Sequence, residues 1–224
     1  RGMLFDFDVD GATGLGIDGR CWHNQTFVND ERSLTGTYLR LGDGETTLGD
    51  DTWDDGHFHF EYWSGDWSDP VSYPSRLGDR LFDIVDFTDF KNMSLKFEML
   101  IPSSNPWQTC GMQLIFSGTD KITYSGGGTD VYGNTDNGKA STSWGRAIYI
   151  PWTETEAYDT ADKWVTVTVP LSEFIYNSVG GKASASPASA SDFANFEMFV
   201  WSGGVKGVES TPIICIDNIR AVHN

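Results

Sequence analysis

Hydrophobic and polar residues alternate along much of this chain with a period of two. In Met3-Leu4-Phe5-Asp6-Phe7-Asp8-Val9-Asp10, the residues Phe5, Phe7 and Val9 share one face and Asp6, Asp8 and Asp10 the other. Side chains alternate across a strand, so this pattern predicts a strand buried on one side. It recurs at 94–101, with Leu95, Phe97, Met99 and Ile101 in phase, and at 111–117, with Met112, Leu114 and Phe116 in phase. Trp164 to Val169 is the cleanest case, filled with the β-branched residues that suit a pleated surface. Phe196 to Trp201 and Pro212 to Val222 predict two closing strands.

Turn clusters separate these segments: Gly42-Asp43-Gly44, Ser64-Gly65-Asp66, Ser125 to Gly128, Asn137-Gly138 and Ser202-Gly203-Gly204. Short helical turns are expected at 86–92 and 171–176, and no long segment has the helical period. Many short strands between turns predict an all-β fold, an antiparallel sandwich or barrel, in one domain over 1–224. Two stretches read as loops: 180–192, rich in Ala, Ser and Gly, and the Gly/Thr/Asp-rich connection from 117 to 144.

Composition narrows the function. A net charge of −17 opposes binding to nucleic acid, whose phosphates need a basic face, and to anionic membrane surfaces. Three cysteines without metal-ligand spacing point to neither a disulfide framework nor a zinc site, and Cys215 sits in an apolar run that predicts core. No apolar stretch approaches the ~20 residues needed to span a bilayer. The chain begins at Arg1, which suggests a piece of a longer, exported protein.

Nine tryptophans are more than a core of this size requires. Trp63, Trp67, Trp107 and Trp152 fall at turns or strand ends, where exposed rings are expected; Trp144, Tyr149, Tyr62 and Trp53 come next. Trp22, Trp164 and Trp201 are assigned to packing. Exposed rings beside carboxylates and amides suit a sugar: the apolar face of a pyranose stacks on the ring and polar groups meet its hydroxyls. Glu61, Asp66 and Gln108 are candidates for those hydrogen bonds.

His57, His59 and Glu61 fall on one strand face, a metal-ligand arrangement lacking a fourth ligand, and read more simply as a polar strip. Asp6/Asp8/Asp10 and Asp50/Asp51/Asp54/Asp55 leave structural calcium open without matching an EF-hand loop. No cofactor is otherwise expected. Acidic residues are too frequent for any pair to mark a glycosidase site, which needs two carboxyls about 5–9 Å apart.

Lys163-Trp164-Val165-Thr166-Val167-Thr168-Val169-Pro170-Leu171-Ser172-Glu173-Phe174 and the closing Ile216-Asp217-Asn218-Ile219-Arg220 resemble the strand motifs of jelly-roll carbohydrate-binding domains. Leu95 to Glu98, Pro106-Trp107, Gln113 to Ser117, Tyr149 to Trp152 and the opening Arg1 to Asp8 extend the likeness over nearly the whole chain. In combination they resemble the C-terminal glycan-binding domain of surface glycan-binding lipoproteins from the starch-utilisation-like systems of Gram-negative gut bacteria. The resemblance implies a β-sandwich jelly roll with an exposed aromatic platform and no catalysis. It further implies immunoglobulin-like domains and a lipid anchor ahead of this segment, placement at the outer-membrane exterior, and association with a glycan-uptake complex.

The expected function is therefore non-catalytic binding of a β-linked plant polysaccharide: β-glucan, xyloglucan, xylan or mannan. Trp63, Trp67, Trp107 and Trp152 would stack, supported by Tyr149 and Trp144, with Glu61, Asp66 and Gln108 orienting the ligand. Two alternatives stand beside it. One is a jelly-roll glycoside hydrolase or lyase; the other is an adhesion domain whose aromatics meet a protein.

Overall fold

A computed structural model describes residues 2–8, 20–22, 25–49, 58–62, 80–123, 140–178, 182–184, 189–201 and 203–224. Its strands are β1 (Met3–Phe5), β2 (Arg20–Trp22), β3 (Gln25–Val28), β4 (Tyr38–Leu41), β5 (Phe58–Tyr62), β6 (Met93–Leu100) and β7 (Met112–Thr123). Then follow β8 (Ala140–Tyr149), β9 (Val165–Pro170), β10 (Ile175–Ser178), β11 (Lys182–Ser184), β12 (Asn195–Val200) and β13 (Ile214–His223). Among the described residues, helix is confined to α1 (Leu81–Ile84) and three single 3-10 turns at Phe90–Asn92, Leu171–Glu173 and Ala190–Asp192. No helix among the described residues is long and apolar enough to cross a membrane.

The strands form two antiparallel sheets. One runs β3-β4-β13-β6-β9, with β1 also paired to β13; the other runs β11-β10-β8-β7-β12-β5-β2. Their facing sides bury one aromatic core, as period-two patterning requires. Phe5 of the first sheet meets Phe60 and Tyr62 of the second at 5.5 and 5.3 Å between ring centroids. Phe116 gathers Phe87, Phe174, Phe193 and Phe196 around it. The expected all-β sandwich is thus the fold, a jelly roll of two antiparallel sheets.

β9 shows how the pattern dictates the layers. Val167 and Val169 point into the core, while Thr166 faces out and donates from Oγ1 to Glu98 at 2.7 Å. β13 is subtler: Ile214 and Ile216 are core, but so are Ile219 and Ala221, three and five residues past Ile216. Between Asp217 and Arg220 the register against β6 slips by one residue, a β-bulge with Asn218 at φ +51°. Asn tolerates that left-handed backbone better than most residues. The bulge resets the alternation, and the Asp217 side chain, 0% exposed, accepts hydrogen bonds from the Asn218 N–H and the Thr35 hydroxyl.

Both expected loops contain more structure than composition suggested. At its two described ends, 117–123 and 140–144, the first stretch pairs as β7 and β8, in a ladder that runs from Met112↔Tyr149 to Thr123↔Ala140. Within 180–192 lie β11 and the capped turn Ala190–Asp192, where Ser189 and Asp192 cap each other reciprocally. Polar and small residues there pair at a sheet edge, so their composition resembles a loop. Helical turns form inside both expected ranges, and α1 is additional.

Candidate functional site

The outward side of the seven-stranded sheet gathers polar and aromatic residues from six strands. The ladder registers align its residues in rows. One row runs Trp22, His59, Phe199, Gln113 and Ile148; the next runs Arg20, Glu61, Glu197, Ile115 and Arg146. A third aligns Asn195 with Ser117, Trp144 and Asn177. For Trp22, Arg20, Trp144 and Asn177 the description is of backbone position only.

Side chains on this face are tied together. Arg146 donates from Nη1 to Gln113 Oε1 at 2.8 Å, and Gln113 Nε2 donates to the Trp201 carbonyl at 3.4 Å. Phe199 meets His59 at 4.2 Å and Trp201 at 5.3 Å, both edge to face. Ile148 is 54% exposed beside Gly111, whose missing side chain leaves room against Ile148 and Ile150. Trp201, expected to pack, is half-buried at the end of β12 on this face, a position its place in the closing strand would have indicated.

Glu61 lies here too, 6% exposed, with His59 Nε2 at 3.5 Å from its Oε2 and 3.7 Å from Glu197 Oε1. Burial pushes His59 down to about 4, against the pull of Glu61, so the imidazole is neutral. Burial also raises Glu197, partly offset by its hydrogen bond with Glu61. Glu197 was not anticipated; only the pairing of β12 with β5 brings it to the strip.

The expected stacking rings are placed differently. Trp107 is 0% exposed, its Nε1 donating to the Thr109 carbonyl at 3.0 Å. Trp152 is 9% exposed, its Nε1 donating to the Cys110 carbonyl at 2.9 Å. The loops at 102–110 and 151–160 fold back over the core, so rings expected at the surface from their turn-rich surroundings close one end of the sandwich. Tyr149 is half-buried against that same core, near Trp107 and Phe97, and its burial raises the phenol to about 12. Tyr62 is core, at 2% exposed. Trp107, Trp152 and Tyr62 are corrections, since their rings are buried in the core.

Gln108 is partly exposed, but its Nε2 is engaged by the Thr153 and Glu154 carbonyls, both at 3.3 Å, so it ties loops together. Trp164 packs as expected, on Tyr38 with Nε1 donating to the Arg32 carbonyl. Trp63, Trp67, Asp66, Trp53 and His57 lie outside the described residues. So do Asp10, Asp50, Asp51, Asp54 and Asp55 of the acidic turns. Asp6 and Asp8 accept from backbone: Asp8 N–H donates to Asp6 at 3.2 Å and Thr37 N–H to Asp8 at 2.8 Å.

Several solved structures resemble this fold. The chain is 41% identical to surface glycan-binding protein PbSGBP-B from Prevotella bryantii, with TM-score 0.72, covering all of this chain and 56% of that one. This chain thus spans a little over half of that relative's length. SGBP-B from a complex xyloglucan utilization locus in Bacteroides uniformis shares the fold at 12% identity and TM-score 0.51, covering all of this chain and 50% of that one. No curated protein matches. The model of the surface glycan-binding protein B xyloglucan binding domain matches residues 1–223, so the chain belongs to that family of cell-surface glycan-binding domains.

Proposed function

We propose that this domain binds xyloglucan, without catalysis, on the outward face of the seven-stranded sheet. The observation that carries the reading is the row structure of that face: Phe199 in one row with Trp22 and Gln113 and edge to face with Trp201, Glu61 and Arg146 in the next row, and Trp144 in the third. Rings would stack on the apolar faces of backbone glucosyl units. The Arg146 guanidinium, held by Gln113, would meet hydroxyls. A shallow sheet face crossing six strands accommodates a long polymer better than an end pocket would.

The family and the Prevotella bryantii relative support the glycan class. The contact between Glu61 and Glu197 supports binding over hydrolysis. These two carboxyls touch, whereas a retaining or inverting pair stands about 5–9 Å apart to admit the sugar. In the cell, we place the domain on the exterior of the outer membrane, held by a segment outside this sequence and handing polysaccharide to an uptake complex.

Affinity electrophoresis in gels containing xyloglucan, mixed-linkage β-glucan, xylan or galactomannan tests this. Xyloglucan should retard the domain, with no reducing sugar released. Trp144→Ala and Trp201→Ala should each weaken retention about fivefold, since a stacked ring contributes on the order of 1 kcal/mol. Trp63 and Trp67, which follow β5 directly, complete the variant set. Undiminished retention in all four variants would remove the platform; reducing-end release would return the hydrolase reading.

A further inference from the structure

β5 and β12 set Glu61 directly opposite Glu197, and like charges so placed oppose pairing. The two carboxyl groups are in hydrogen-bond contact, and their side chains are only 8% and 18% exposed. His59, on the same face of β5, completes a cluster whose donor atoms all lie within 4.8 Å of one another. The Phe199 ring packs edge-on against the imidazole at 4.2 Å and fixes its plane. One imidazole nitrogen and two carboxyl oxygens gathered this closely form a donor set for a dication.

We propose that His59, Glu61 and Glu197 bind a divalent transition-metal ion of the zinc class, clamping β5 to β12. Zinc bonds of about 2.0–2.2 Å at tetrahedral angles separate neighbouring ligand atoms by about 3.3 Å. His59 Nε2 already stands 3.5 and 3.7 Å from the two carboxylate oxygens, within a small side-chain adjustment of that spacing. The nitrogen ligand disfavours calcium and magnesium, which take oxygen; a mixed imidazole and carboxylate set suits zinc. Three protein ligands leave a fourth position for water. The chain's net charge of −17 also draws cations to its surface. Arg20, opposite Glu61 in the register with β2, is the rival source of positive charge for one of the carboxylates.

The test is zinc titration of the chelator-stripped domain by calorimetry, followed by cobalt(II) substitution and visible absorption. One zinc per chain is expected, with cobalt giving the intense bands of a tetrahedral site. His59→Ala and Glu197→Gln should each lower zinc affinity by at least about tenfold, the loss being no smaller than that for a supporting residue. Thermal melts confirm that each variant is folded, and Glu61→Gln serves if either is not. Absence of stoichiometric uptake would overturn the proposal and leave the carboxyl pair to Arg20 and a shared proton. Uptake unchanged in the variants would overturn it equally, assigning the ion to other surface acids. Xyloglucan retention measured with chelator present keeps this outcome separate from the glycan reading.

Discussion

Trp107 and Trp152 illustrate how one residue type serves two ends. Each buries a large ring and gives its N–H to a backbone carbonyl, at Thr109 and Cys110. Those two residues have φ of +76° and +64°, so the indoles brace an unusual backbone. Trp107→Ala should lower stability by about 3–5 kcal/mol, read from a urea midpoint, with glycan retention lost only as the fold is lost. Trp201→Ala should do the reverse, weakening retention at a nearly unchanged midpoint. Equal midpoints for Trp107→Ala and the parent chain would contradict the burial argument. The tryptophan excess was legible from sequence, but which rings face water was not. Asn105-Pro106 and Pro151 correctly mark turns, yet a turn can fold inward, and the acceptors at 109 and 110 carry no side-chain signal.

At the scale of the element, the β13 bulge has a measurable electrostatic cost. Burial, then the charges of Asp8 and Asp6, push the Asp217 carboxyl up to about 7, while hydrogen bonds from the Asn218 N–H and the Thr35 hydroxyl pull it down. A raised carboxyl means that the folded chain holds a proton the unfolded chain has released. The associated stability is present below about pH 4 and disappears as pH rises to about 7. Asp217→Asn keeps the shape and removes the titration. The stability of the parent chain minus that of the variant should fall by about 1.4 kcal/mol per pH unit across that window. Matching pH profiles in urea melts would sink the assignment. The strands themselves were legible wherever β-branched or aromatic residues alternated, as in β6, β9 and β12. Short strands such as β2, β4 and β11 were not, because three or four residues carry too little period to stand out.

For the whole molecule, the two-sheet architecture followed from patterning, but the functional face did not. It arises from six strands scattered between residues 20 and 201, and the rows joining Glu61 to Glu197 or Trp144 to Ser117 exist only after pairing. The pairing of β1 with β13, Met3 opposite Arg220, also governs timing. β13 is the hub of its sheet, touching β4, β1 and β6, and it is made after all of them. β4 can pair with β3 and β6 with β9 beforehand, but the two halves of the sheet stay unjoined until residue 214 and beyond emerge. A chain ending at residue 213 should show no cooperative melting transition, and the intact chain should refold in milliseconds to seconds rather than microseconds, as distant contacts dictate. The domain is consequently most exposed to proteolysis and misassociation in the interval before its final ten residues arrive, a hazard set by the order of the strands and not by their strength.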